Sequence, residues 1–126
     1  MTLNIPQIAI LTKGDEARFF ALLDERLELC RKALMCRHEN LKGTLSDISP
    51  IHWQYGAIAR LKKGEKIDRY LMNGYSTISL GYIGLYEASM LITGASHTQP
   101  KGEAFARKVL QRMSDACTRW REESGI

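Results

Sequence analysis

Three cysteines, three histidines and one glycine-flanked segment are the places where this sequence could carry chemistry. Cys30 and Cys36 lie six apart in a helical pattern, so they point to different faces, and Cys117 is remote. With no C-x-x-C, neither a zinc knuckle nor a redox pair is spelled out, and the three read as buried or half-buried free thiols in a reducing compartment. His38 could form half of a metal site with Cys36. Positions i and i+2 diverge on a helix, however, and a polar-face histidine is the plainer reading. His52 and His97 read as loop residues, and spacing assembles no Ser/His/Asp or Cys/His set for nucleophilic or proton-transfer catalysis. Trp53, Tyr55 and Trp120 could stack bases, but their apolar neighbours favour core use. Glu87, at a helix start, reads as a carboxylate answering the helix dipole rather than as a general base.

The remaining candidate is Gly81-Tyr82-Ile83-Gly84-Leu85-Tyr86-Glu87, where a strand is expected to feed a helix. Glycines there would let backbone approach a ligand, and a helix N-terminus favours an anion. The spacing is neither G-x-G-x-x-G nor a P-loop, and close strand–helix packing accounts for the same glycines.

The elements that must position these residues follow from periodicity. Leu3 to Leu11 is a short apolar run of strand length, broken by Pro6. Thr12 or Asp15 can cap a helix from 15 to 41, with Phe19, Phe20, Leu23, Leu27, Cys30, Leu34 and Leu41 on one stripe and Glu28–Lys32 as an i,i+4 pair. Such a helix is about 40 Å long, comparable with the roughly 36 Å width of a globule of this length, and so suits a larger body. Residues 51–58 read as a buried aromatic segment of uncertain type. Lys66–Met72 can make two helical turns, residues 75–83 are β-branched and aromatic enough for a strand, and 84–93 can be a helix closed by Gly94. A second long helix over 99–123 places Phe105, Val109, Met113, Cys117 and Trp120 inward, with Leu110 and Ala116 beside them. The expected class is α/β and mostly helical.

The 126 residues and 14.3 kDa suffice for one core and are too few for two ordinary domains, so 1–126 reads as a single piece. Lys and Arg exceed Asp and Glu by 18 to 14, and the densest basic run, Arg60 to Lys66, lacks the interleaved aromatics of a nucleic-acid site and reads as a solvated loop. No apolar run reaches the ~20 residues of a membrane span, and Met1–Pro6 does not open a signal peptide. A cytoplasmic location is expected, with neither membrane nor nucleic acid as partner.

Several stretches together resemble the catalytic subunit of anaerobic, class III ribonucleoside-triphosphate reductases. They are Leu3-Asn4-Ile5-Pro6-Gln7-Ile8-Ala9, similar to the family's N-L-P-R-I-A, then Leu22 to Leu27, Ser49 to Ala57, Gly74 to Glu87 and Trp120 to Gly125. They occur in the family's order and cover nearly the whole chain, with 74–87 the most specific. The resemblance implies part of a ten-stranded α/β barrel of the glycyl-radical enzyme type, from an enzyme several times longer. It implies reduction of ribonucleoside triphosphates to deoxyribonucleoside triphosphates, a glycyl radical, a structural zinc, nucleotide effectors, an activating iron–sulfur enzyme that uses S-adenosylmethionine, and a homo-oligomer completed by the rest of the polypeptide.

The family's M-G-C-R finger loop, R-V-C-G-Y glycyl-radical motif and four-cysteine zinc site are not found here, and its G-T-P segment would follow Ile126. Cys30, Cys36 and Cys117 match no radical-forming cysteine. The expectation is therefore a fragment, inactive alone, with no catalytic or metal-ligating residue and no cofactor of its own. Asn4, Gly81, Tyr82, Ile83 and Gly84 are the residues expected nearest to substrate. The competing reading is a small stand-alone helical interaction module without catalysis.

Overall fold

Pro6 decides how the chain starts. The run from Leu3 to Leu11 has the composition of a strand, yet the computed structural model, which describes residues 1–126, keeps only β1 (Thr2–Asn4) extended and makes the rest helix α1 (Ile5–Thr12). Asn4 is the cap: its Oδ1 accepts from the Gln7 N–H at 3.1 Å. Pro6 then falls at the second helical position, where its missing N–H would have had no intrahelical partner. The proline that argues against a continuous strand is what suits a helix start. α1 closes at Lys13 in the left-handed region (φ 51°). Asp15, not Thr12, caps the next helix, accepting from the Arg18 N–H at 3.0 Å, while Thr12 Oγ1 donates back to the Ile8 carbonyl at 2.9 Å.

The two long helices stand where periodicity places them, as α2 (Glu16–Leu41) and, at the C-terminal end, α5 (Pro100–Ser124). Between them lie α3 (Pro50–Trp53), β2 (Gly81–Ile83) and α4 (Leu85–Thr93). The chain is mostly helical with one two-stranded parallel sheet. The strand expected over 75–83 exists only in its last three residues. A strand extends only as far as it has a partner, and β1 is cut to three residues by the Asn4 cap. Thr2, Leu3 and Asn4 pair with Gly81, Tyr82 and Ile83.

The contacts divide the chain into two compact units. The first comprises residues 1–33 and 79–123. Its core joins Leu3, Ile5, Ile8 and Ala9 to Phe19, Leu23, Leu27 and Cys30, and to Ala88, Phe105, Val109, Met113 and Ala116. The Phe19 and Phe105 rings meet edge-on at 5.1 Å. α2 and α5 run in the same direction, because their ion pairs advance together: Glu16–Lys108 at 2.8 Å, Asp24–Arg112 at 3.6 Å and Arg31–Glu123 at 3.0 Å. Each exposed pair contributes at most about 1 kcal/mol; the apolar seam holds the helices together. Glu28 pairs with Arg31 at 3.1 Å, not with Lys32. Ala116 takes the inward position expected of Cys117, which is exposed, as is Leu110.

The second unit comprises residues 34–78 and 124–126, and so includes the last turns of α2. Ala59, Leu61, Ile67 and Leu71 form its core, with Trp53, Tyr70 and Met72 packed against it. A single 3-10 turn, Asp68–Tyr70, replaces the two helical turns expected over 66–72. His38 is buried rather than on a polar face, with no partner for its Nε2, and Leu41 is exposed. The segment 51–58 is not buried as its composition suggests: Ile51, Tyr55 and Ile58 all face outward. The basic run does form a solvated turn, with Lys62, Lys63 and Lys66 exposed.

Candidate functional site

Asn4 and Gly81–Gly84 are 77 or more positions apart in sequence and come together in the first unit. Two parallel strands lie side by side, so both carboxyl ends emerge at the same edge, and each runs directly into a helix. β1 ends on Asn4, the N-cap of α1; β2 ends on Ile83, followed by Gly84, the N-cap of α4. Asn4 and Ile83 are register partners. The register is anchored upstream by the Gly81 N–H donating to the Met1 carbonyl at 2.8 Å. The Met1 ammonium donates to the Ser79 carbonyl at 3.0 Å. α1 and α4 then pack against each other.

Gly84 makes this close approach possible. Its φ of 76° is left-handed, and a Cβ there would overlap the Pro6 ring. The two glycines of the segment therefore differ: Gly84 is required by packing, whereas a Cβ on Gly81 would meet ordinary contacts, the nearest 3.7 Å away. Tyr82 and Ile83 stand exposed beside them.

Two helix N-termini at one edge concentrate partial positive charge, and the carboxyl ends of parallel strands are where α/β sheets bind ligands. Only the start of α1 has a side-chain cap. The Asn4 side chain serves α1, whereas no side chain caps α4, although the Glu87 carboxylate lies 3.4 Å from where a Gly84 Cβ would be. Such an edge can bind and orient an anionic molecule; it brings no nucleophile. Ser49 and His52 do share a 2.6 Å contact, but at the exposed cap of the four-residue α3, in the other unit.

The cysteines are dispersed. Cys30 is buried in the first core, and burial pushes its thiol above the ordinary value against smaller opposing effects of the N-terminal ammonium and Arg26. Partial burial also raises the Cys117 thiol, although that residue is exposed overall. Cys36 is exposed and its Sγ accepts from Asn40 Nδ2 at 3.6 Å. No three His, Cys, Asp or Glu side chains gather as a metal site. What sequence reasoning missed is Pro6 against Gly84, a contact between distant segments with no local signal, and Gly102, where a Cβ would overlap the Ser96 carbonyl.

Parallel strands that each lead straight into a packed helix make this a mostly helical α/β protein. The family model for anaerobic ribonucleoside-triphosphate reductase matches residues 1–126, and the chain belongs to that family. It is 40% identical over 128 residues to the anaerobic ribonucleoside-triphosphate reductase of Escherichia coli K12, covering 99% of this chain and 18% of that protein. It is 38% identical over 131 residues to the protein of that name from Enterobacteria phage T4, covering 100% of this chain and 20% of the relative. The chain thus spans about a fifth of the length of these relatives. No helix is long and apolar enough to cross a membrane.

Proposed function

We propose that the chain is part of the wall of a ten-stranded α/β barrel in an anaerobic ribonucleoside-triphosphate reductase. In this reading Asn4, Gly81, Tyr82, Ile83 and Gly84 lie on the edge that faces the ribonucleoside triphosphate. The observation that carries it is the paired edge: two parallel strands ending together against two helix starts, formed by the stretches that carry the family resemblance. Family membership across residues 1–126 favours this over a stand-alone interaction module.

The role of these residues would be to orient substrate. Polarity at the two helix starts favours phosphate oxygens, and Gly84 keeps the edge narrow enough for backbone to reach them. Reduction also needs a stored radical, a thiyl group that abstracts hydrogen, and electrons. The parent reductase would supply the glycyl radical after activation by its iron–sulfur, S-adenosylmethionine-dependent partner, and would work as a homo-oligomer regulated by nucleotides. The residues here do not fit a four-cysteine zinc site: there are three cysteines, one of them buried, and they do not converge. No step is assigned to them.

The test is a chimera in which this chain replaces the matching segment of the Escherichia coli relative. It is expected to form deoxyribonucleoside triphosphates anaerobically, with Asn4→Ala raising KM by about tenfold, or roughly 1.4 kcal/mol of lost binding. A folded, active chimera indifferent to Asn4→Ala and to Ile83→Asp would remove the substrate-facing assignment.

A further inference from the structure

We propose that in the longer protein the residues immediately preceding Met1 continue β1 backwards, and that they pair, parallel and in the same register, with residues 77–80. The proposal rests on the reading of the chain as one section of a longer reductase. It adds where the preceding segment lies and which backbone group receives it.

Met1 already occupies a position of the ladder. In a parallel pair, a residue facing its neighbour strand donates its N–H to the residue before its register partner and accepts from the residue after it. Thr2 stands opposite Gly81, which puts Met1 opposite Leu80. Met1 makes both bonds of that position: its nitrogen donates to the Ser79 carbonyl at 3.0 Å, and its carbonyl accepts from the Gly81 N–H at 2.8 Å. The ammonium therefore stands where a peptide N–H would stand in a continuing strand.

The other strand is prepared further back than β1 reaches. Residues 77–80 run without turn or bend, and the sequence from Tyr75 onwards has the β-branched and aromatic composition of a strand. The segment is anchored, because Leu80 packs against the core of the first unit and Met1 holds the Ser79 carbonyl. By the alternation of the ladder, the next bond back uses the Ser79 N–H, and this donor has no partner within the chain. Asn4 ends β1 on its carboxyl side by capping α1; on its amino side nothing in the geometry stops it.

The same register selects the occupant. The N–H and C=O of one strand residue share an edge, so the free Ser79 N–H faces the side on which its carbonyl already meets β1. The segment entering β1 is therefore in line with the donor. A strand from a second copy would have to fill the path by which that segment enters. The relatives supply the length: the chain covers only 18% and 20% of two of them.

The test compares amide hydrogen exchange in the 126-residue chain and in the protein expressed from the whole open frame of its source DNA. In the short chain Ser79 is expected to exchange fast and Gly81 slowly. In the longer protein Ser79 should slow by about a hundredfold or more. Ser79→Pro, which removes the donor and keeps the carbonyl, should leave Gly81 exchange unchanged in the short chain and speed it about tenfold in the longer one. Fast exchange of Ser79 in both proteins overturns the proposal. So does protection of Ser79 with no effect of Ser79→Pro on Gly81, which would mean simple burial, or protection in the short chain that dilution abolishes, which would mean a second copy. A source frame that opens at Met1 would instead remove the reading as a section of a longer reductase, and the proposal with it.

Discussion

Gly84 is where a single residue does most to shape the candidate edge. Gly84→Ala combines an unfavourable left-handed φ with overlap of the Pro6 ring, and should cost about 2 kcal/mol or more in a urea titration. Gly81→Ala, with ordinary contacts, should cost about 1 kcal/mol or less. Phe105→Ala, which removes a ring packed against Phe19 and Phe20, should cost about 3–5 kcal/mol. Cys117→Ser, on the exposed side, should stay within about 0.5 kcal/mol. Cys30 gives a pH signature. Its folded thiol holds the proton more tightly than the unfolded one. The contribution is therefore complete below about pH 9 and lost as pH rises towards the raised value. Comparing wild type with Cys30→Ala at pH 8 and pH 10 isolates it: the stability difference between the two should shrink at the higher pH. At this scale a helical stripe made Phe105, Val109 and Met113 legible, whereas Cys117 and Ala116, adjacent on that stripe, are separated only by the angle at which α5 meets its neighbours.

The elements were legible where periodicity is long and illegible where tertiary partners decide. α2 and α5 repeat their apolar stripe over many turns, and α4 is bracketed by Gly84 and Gly94 at both caps. The strand over 75–83 was legible only in type. Its length depends on β1, and β1 stops because Asn4 caps a helix that composition disguises as a strand. Hydrogen exchange should show this directly: the Gly81 amide, bonded to Met1, exchanges slowly with the α2 and α5 interiors, while amides of 76–80 exchange fast. Uniform protection from 75 to 83 would restore the longer strand. The segment 51–58, expected to be buried, turns Ile51, Tyr55 and Ile58 outward for a different reason. Hydropathy marks a face to be covered and says nothing about whether the covering group belongs to the same unit.

At the scale of the whole molecule, the family was legible because its most specific stretch, Gly74 to Glu87, contains the strand–glycine–helix junction that the fold builds into its candidate edge. The edge proposed to face substrate was not legible from spacing, since its two halves meet only through the β1–β2 register. Purified alone, the 126-residue chain should form no deoxyribonucleotide and show no glycine-centred radical after treatment with an activating enzyme. Product formation that Cys30→Ala, Cys36→Ala or Cys117→Ala abolishes would give a thiol the radical role denied to it here. The central claim, that this chain is one section of a larger reductase, is tested most directly by reading the source DNA on both sides of its codons. The account predicts one open frame, with an M-G-C-R finger loop encoded upstream of Leu3 and a G-T-P segment and R-V-C-G-Y motif encoded downstream of Ile126. A start codon at Met1 with no coding sequence before it, together with a stop codon directly after Ile126, would contradict it.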